Sequence, residues 1–540
     1  MSAAFVYQNL TAVNGLAKAH PKGQFHPGNL VSGWMSKKMV NGSVKPSYDA
    51  DVIIAGAGPA GAAAACHLTR LGASVIVLDR MTFPRDKVCG DFVGPSALIE
   101  LDTLGVSQID GFAQTNIGHR GAIFIDGEEL IAKSFPAVEG MPPHGRVIPR
   151  FVLDKFIVDA ARSAGAKVKE GYQLVGCQVD SDAAAVKLTS SNGNFTLRCR
   201  LLIGADGSSS TVARLMRRSA PLRRDRFIAS RAYFANIDGP NDQLDLYFSG
   251  GCFPGYYWLF PTGNGEANVG LGVALETLPA HDRTPAAMLQ RVMRDDAALS
   301  ARLRNAGLRG KIVGWPLTTY NHRHPIVFDR VMLIGDAAGL INPLNGEGIQ
   351  YALQSARWAA ETLAACLRDE DFSARALAPF AARVESELRY DMALSRLIVQ
   401  LISNRALTPV WIGVLKTLAA RARKDSNFAD TVSGIFAGLS PARDVFKVVG
   451  GTIDEAARAL VSKTVTTAFS GPRGWASLGV DTAQVGFQLA YDAIKDPAAF
   501  LEWLKSAASN MIELGSQASQ DEIAGRTQVV VTPQPRRSRP

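Results

Sequence analysis

The sequence has no Cys-x-x-Cys pair. Its six cysteines (Cys66, Cys89, Cys177, Cys199, Cys252 and Cys366) stand singly, which argues against a structural zinc module or a disulfide-framed secreted domain and fits a reducing compartment. No run of about 18 or more uncharged apolar residues occurs, so no spanning helix is predicted. The N-terminus lacks a charged start, a continuous apolar core and a small-residue cleavage site, so no secretory signal is read and the expected address is cytoplasmic. There is no dense basic stripe with interleaved aromatics. The formal net charge of +9 includes Arg536, Arg537 and Arg539 at the extreme tail, and nucleic acid is not an expected partner. The remaining surplus suits a pyrophosphate-bearing ligand or an anionic membrane surface. No metal-ligand cluster and no internal repeat is found. What is present is ordinary globular composition, 47% hydrophobic and 20% charged over 540 residues, enough for two or three domains and a core that keeps water from a large cofactor.

Residues 1–48 mix glycine, proline, lysine and isolated aromatics and are expected to form an extension. From Asp51 the pattern becomes strand (51–55), glycine turn, helix (60–71) and strand (74–78), the βαβ start of a parallel sheet. A helix over 150–164 precedes alternating strands through Leu202. Segments 227–236, 245–248, 256–260 and 267–274 read as antiparallel strands of a second domain, after which a strand at 331–334 and a helix over 346–367 return to the first. The expected partition is a cofactor domain (49–215 and 311–370), a sheet-rich substrate domain (216–310), a helical region (371–514) and a flexible tail (515–540). Gly471-Pro472-Arg473-Gly474 punctuates the helical region.

Three motifs carry the cofactor chemistry. Gly56-Ala57-Gly58-Pro59-Ala60-Gly61 follows a hydrophobic strand and opens a helix. Its glycines permit a tight turn, close approach to a pyrophosphate and close helix–strand packing, and the helix N-terminus offers free N–H groups. Asp79 ends the second strand, where a carboxylate can accept from a ribose diol. Gly204-Ala205-Asp206-Gly207 follows the apolar Leu201-Leu202-Ile203. Leu333-Ile334-Gly335-Asp336-Ala337-Ala338-Gly339 leads into Asn342-Pro343 and Gly346-Glu347-Gly348, so that a carboxylate and a helix N-terminus meet at one turn.

In this order and spacing the three motifs resemble the glutathione-reductase-type FAD fold of the p-hydroxybenzoate-hydroxylase-like flavoproteins. The resemblance implies an α/β fold, a Rossmann-like FAD domain with an inserted antiparallel-sheet substrate domain and a helical C-terminal region, and FAD as cofactor. Its cofactor-binding candidates are Gly56, Gly58, Pro59, Ala60, Gly61, Asp79, Arg80, Cys89, Gly90, Arg150, Asp206, Gly207, Gly335, Asp336, Gly346, Gly348 and Ile349. Arg150 stands where that family has an arginine on the FAD phosphates.

Tyr256-Tyr257-Trp258-Leu259-Phe260-Pro261, eight residues, then Gly270-Leu271-Gly272 discriminates among flavin enzymes. Flavin-dependent halogenases carry Trp-x-Trp-x-Ile-Pro, from which Tyr256 and Phe260 depart. The geranylgeranyl reductase family carries Tyr-x-Trp-x-Phe-Pro, seven or eight residues, Gly-x-Gly. This chain resembles it at Tyr256, Trp258, Phe260, Pro261, Gly270 and Gly272, and again at Phe83-Pro84-Arg85-Asp86-Lys87-Val88-Cys89-Gly90-Asp91, which is similar to that family's Pro-Arg-x-Lys-x-Cys-Gly loop. The likeness spans about residues 50–447. It implies a lipid cavity lined by the aromatic strand, a role for Cys89 beside the flavin, and saturation of isoprenoid double bonds. Electrons would come from NADPH, a reduced protein or a flavin reductase, since no second Gly-x-Gly-x-x-Gly marks a nicotinamide domain. The alternatives are a monooxygenase, epoxidase or halogenase acting on an apolar small molecule, and a flavoprotein adaptor without catalysis. The apolar face over 393–424, flanked by Arg396, Arg405, Lys416, Arg421, Arg423 and Lys424, leaves two readings open: a cap on the sheet domain, or a peripheral contact with the inner face of a membrane.

Overall fold

Hydrophobic runs bounded by glycine turns place Ala50–Ala55 and Val75–Asp79 side by side in the core of a parallel sheet. The computed structural model describes residues 47–217, 223–278 and 284–430, together with Leu501, Trp503, Lys505, Ala507, Ser509 and Asn510. The expected extension up to residue 46, the break at 471–474, the last amphipathic stretch in most of its length and the tail lie outside them. In the first sheet the strand order is Val327–Phe328, Val331–Leu333, Gly193–Gly204, Ala50–Ala55, Val75–Asp79, Lys167–Glu170. Val52, Ile53, Ile54, Leu201, Leu202 and Ile203 are each fully buried in it. The helices Pro59–Arg70, Arg150–Ser163 and Ile349–Asp369 pack beside it. All three cofactor motifs emerge at the ends of its parallel strands, where an open α/β sheet leaves its crevice.

The second sheet has seven strands, ordered Gly307–Thr318, Arg226–Ala235, Glu266–Ala274, Tyr256–Gly263, Gln243–Phe248, Arg120–Ile125, Glu128–Ser134. Two of these lie outside the interval 216–310 predicted for it, and Gly307–Thr318 runs past its upper bound. Arg120–Ile125 runs parallel to Gln243–Phe248, with Ile123 opposite Leu246, and Glu128–Ser134 extends the edge by a hairpin. Gly307–Thr318 closes the other edge against Arg226–Ala235. The predicted boundaries are corrected accordingly: strand patterns are local, whereas a pairing across more than a hundred residues leaves no periodic trace.

Two long helices, Ala374–Ile402 and Thr408–Lys424, follow. Ser373 caps the first through the Ala376 N–H at 3.2 Å. The second lays Ile412, Leu415 and Ala419 against Ile125, Leu130 and Phe253. Part of its apolar face therefore packs on the sheet, as the cap reading expects. The basic residues share in this. Arg405 donates to the Thr277 carbonyl at 2.9 Å, Lys416 pairs with Asp126 at 3.3 Å, and Arg396 and Arg423 donate to the carbonyls of Tyr320 and Leu130. Among the described residues no helix is long and apolar enough to cross a membrane.

Ile412→Asp would bury an unpaired carboxylate at this contact. It is expected to lower the melting temperature by about 5 °C or more and to expose 403–430 to protease; an unchanged melting curve would mean that the helix does not rest on the sheet.

Candidate functional site

The fingerprint turn is built as its glycines require. Gly56 has φ +99°, and a Cβ there would come within 2.3 Å of the Ala205 carbonyl oxygen; a Cβ on Gly61 would come within 1.9 Å of the Gly56 carbonyl oxygen. At Gly58 the heavy atom nearest to an added Cβ would be Arg85 Nη2 at 3.5 Å, so the second glycine keeps its face open. No side chain caps the helix beginning at Pro59 or the one beginning at Ile349. Two uncapped helix N-termini thus meet at one cavity, which fits a dinucleotide carrying a diphosphate.

That cavity has a volume of about 1360 Å³, above the roughly 300–1,000 Å³ of a single-ligand pocket. Its wall includes Gly56, Gly58, Pro59, Ala60, Asp79, Arg80, Cys89, Gly90, Arg150, Asp206, Gly207, Asp336, Gly346, Gly348 and Ile349 of the expected cofactor set. It continues past Tyr256, Trp258, Phe260 and Gly272 to Ile123, Ile125, Trp411 and Leu415. The end lined by the glycine motifs and the apolar end are one space. Gly61 and Gly335 support it from behind: a Cβ on Gly335 would lie 2.8 Å from that of Ala60.

Several charged candidates have partners of their own. Asp79 accepts from the Ala57 N–H at 3.0 Å and from Arg85 at 3.3 Å through Oδ2, and from the Met81 N–H at 2.9 Å through Oδ1. Arg85 also reaches Asp154 at 3.0 Å, which holds Arg150 through two bonds of 2.7 and 2.9 Å. Arg150, expected on the phosphates, is buried in this ion chain while still bordering the cavity. Arg80 is exposed at the rim, and Arg85 is the arginine set over Gly58. Asp206 spends its carboxylate on Ser210 Oγ and on the N–H groups of Thr211 at 2.7 Å and Val212 at 3.2 Å, capping the helix Thr211–Arg217. Asp336 pairs with Lys87 at 2.9 Å and accepts from Ser208 at 3.2 Å. Burial would raise its pKa, but Lys87 and Arg150 hold it below the usual carboxylate range.

The aromatic motif is explained by hairpin register. Tyr256 lies opposite Gly272, Trp258 opposite Gly270 and Phe260 opposite Asn268. The alternation turns Tyr257 and Leu259 into the core of the sheet, both fully buried, and puts the three motif aromatics on the cavity side. They belong to a longer row, Phe248–Tyr256–Trp258–Phe260–Phe92–Phe135, with successive ring centroids 6.0–6.2 Å apart. The two glycines differ in function. A Cβ on Gly270 would meet the Trp258 indole at 2.3 Å and the Ser230 carbonyl oxygen at 2.6 Å, whereas one on Gly272 would meet nothing within 4 Å. Gly270 seats the indole; Gly272 leaves room for a ligand. Pro261 continues the strand opposite Ala267.

Cys89 is held to this wall through its backbone. Asn268 Nδ2 donates to the Cys89 carbonyl at 2.7 Å and to Asp91 Oδ2 at 2.8 Å, while Asn268 Oδ1 accepts from Trp258 Nε1 at 3.0 Å. Tyr233 donates to the same Asp91 oxygen at 2.5 Å. Burial pushes the Cys89 thiol up despite the pull of Arg150, so it is a thiol at neutral pH. Asp91, Asn268, Tyr233 and Glu347 were missed by motif reading. A polar residue inside the apolar run Ala267–Leu271 was the available signal for Asn268.

Residues 49–377 match the family described as the FAD binding domain. The chain is 35% identical over 327 residues to a menaquinone reductase of Mycobacterium tuberculosis, covering 58% of this chain and 76% of that protein. It is 28% identical over 366 residues to digeranylgeranylglycerophospholipid reductase 2 of Methanopyrus kandleri, covering 66% of this chain and 88% of that one. A geranylgeranyl bacteriochlorophyll reductase-like protein from Thermoplasma acidophilum superposes with a TM-score of 0.63 at 22% identity, over 74% of this chain and 98% of its own. The flavin-dependent brominase Bmp2 gives 0.61 at 18%, over 76% and 99%. At these identities both structures speak for the fold alone.

Two outcomes are expected. Gly270→Ala should cost about 1–3 kcal/mol in denaturant unfolding through overpacking, while Gly272→Ala should lie within about 0.5 kcal/mol of the parent; equal costs would contradict the register. Burial raises Asp91 from 3.8 to about 6, so the folded state holds the proton more tightly. The associated stability is complete below about 3.8 and is lost as pH rises through about 6, a change on the order of 3 kcal/mol. The melting-temperature difference between parent and Asp91→Asn should therefore shift across pH 4–7, and a constant difference would exclude the titration.

Proposed function

Since the chain belongs to the family of FAD-dependent oxidoreductases that includes the geranylgeranyl reductases, we propose that it saturates carbon–carbon double bonds in the isoprenoid chain of a lipid, with a polyprenyl quinone as first candidate and a geranylgeranyl lipid or diphosphate as second. The observation that carries this reading is the aromatic row facing an apolar space continuous with the cofactor end. An unactivated alkene has no carbonyl to absorb negative charge, so positive character on carbon must be stabilised instead. The π-faces of Tyr256 and Trp258 suit that task. FAD, when bound, supplies the hydride equivalent. Gly56, Gly58, Gly61 and the two uncapped helix N-termini would hold its diphosphate, and Asp79 and Asp336 would face its ribose and ribityl hydroxyls. The apolar wall from Ile123 to Leu415 excludes water while the chain lies within.

The 35% identity to a protein named menaquinone reductase favours the quinone. Electron supply by NADPH, a reduced protein or a reduced flavin belongs to the same proposal. The monooxygenase, epoxidase or halogenase alternative shares the fold, but Tyr256 and Phe260 depart from the halogenase pattern.

Anaerobically photoreduced holoprotein, mixed with a polyprenyl quinone, geranylgeranyl diphosphate or an unsaturated ether lipid, is expected to yield a product heavier by two hydrogens per bond. Reoxidising the quinone product in air before mass analysis separates chain saturation, which persists, from ring reduction, which reverses. Strict dependence on oxygen with gain of one oxygen atom would overturn the reading.

A further inference from the structure

Asn342–Gly348, between the third cofactor turn and its helix, folds back on itself. The Asn342 N–H donates to the Glu347 carbonyl at 2.9 Å, the Glu347 N–H donates to Asn345 Oδ1 at 3.0 Å, and the Leu344 N–H donates to Asn342 Oδ1 at 2.8 Å. From the aromatic strand, the Tyr256 hydroxyl donates to the Asn345 carbonyl. The main chain of Glu347 is thereby pinned on both sides. The residue borders the cavity, and among the described residues its carboxyl has neither a hydrogen-bond donor nor a cation paired with it.

An ionised carboxylate with no partner at the edge of an apolar space is costly, and protonation removes the cost. Burial alone pushes Glu347 up to about 7. The titratable groups that feel its charge are the phenols of Tyr256 and Tyr351, both raised by burial first and then by Glu347, with Cys89 acting further on Tyr256 and Asp391 on Tyr351. None is a cation. Glu347 consequently keeps its proton up to about pH 7, beside the aromatic wall, whereas burial makes the Cys89 thiol a weaker proton source.

We propose that Glu347 is the acid that delivers the proton to the alkene, a role that rests on the reductase reading. Its O–H bond breaks as a C–H bond forms at one alkene carbon from the π electrons of the double bond. The other carbon takes a hydride equivalent from reduced flavin, so the alkene is reduced and the flavin oxidised. The carboxylate left behind regains a proton from water once the product chain withdraws.

The test uses FAD-loaded full-length protein and a polyprenyl quinone as probe, under anaerobic single turnover. Glu347→Gln should retain the flavin spectrum, melting temperature and quinone binding yet reduce the chain about 100-fold or more slowly. The parent's rate should fall as pH rises through about 7, where the acid is lost, and the variant's profile should be flat. Independently of turnover, infrared difference spectra between pH 6 and 8 should show a protonated carboxyl band that vanishes in Glu347→Gln. Glu347→Asp should restore part of both signals. A Glu347→Gln variant with the parent's rate and profile, or a profile flattened by Cys89→Ser instead, overturns the role of Glu347 alone. A parent protein that saturates no isoprenoid at any pH overturns the reductase reading together with it.

Discussion

One amide group, that of Asn268, joins the aromatic hairpin to a loop that is remote from it in sequence. It receives the Trp258 indole N–H on its oxygen and gives its N–H groups to the Cys89 carbonyl and the Asp91 carboxyl. Because the residue is fully buried, each of these bonds replaces a lost bond to water, and breaking one would leave a buried polar atom unsatisfied. The loop from Arg85 to Asp91 is also tied to the other sheet, by Arg85 to Asp79 and Asp154 and by Lys87 to Asp336. A segment anchored in this way transmits position: the cofactor turn and the aromatic wall cannot shift independently.

The ion chain Asp79–Arg85–Asp154–Arg150 has the same logic in charged form. Its members are mostly buried, and desolvation consumes much of the attraction between such pairs. Their value lies in geometry. Arg150 is placed at the start of its helix and Arg85 over the open face of Gly58, so the glycine-motif end of the cavity is arranged before anything enters it.

Much of this was legible in sequence because it is local. The βαβ start, the glycine turns and the alternating aromatics depend on residues a few positions apart, and each took the form that its pattern implied. What was not legible depends on distant partners or on oxygen atoms that no pattern sees. Arg120–Ser134 carries ordinary strand residues whose place in the second sheet is decided by Gln243–Phe248. Arg396, Arg405 and Arg423 flank an apolar face whose pattern names no partner, yet each finds a backbone carbonyl. Asp206 sits in a cofactor motif but caps a helix. Glu347 was concealed by its own motif, since attention goes to the flanking glycines. The Asn264-Gly265 pair, both with positive φ, was a hairpin signal in plain view.

That hairpin also contains an irregularity: the register between its strands slips between Pro261 and Gly263. Below the slip, towards the turn, pairing is reset independently of the ladder that opposes Tyr256, Trp258 and Phe260 to Gly272, Gly270 and Asn268. A regular ladder would turn every aromatic to the opposite face if one residue were gained or lost. Here a difference of one residue is absorbed at Thr262, outside the cavity-facing rungs. The eight residues between the aromatic and glycine halves of the motif thus contain a slack point, so that the geometry of the turn and the aim of the wall are set separately.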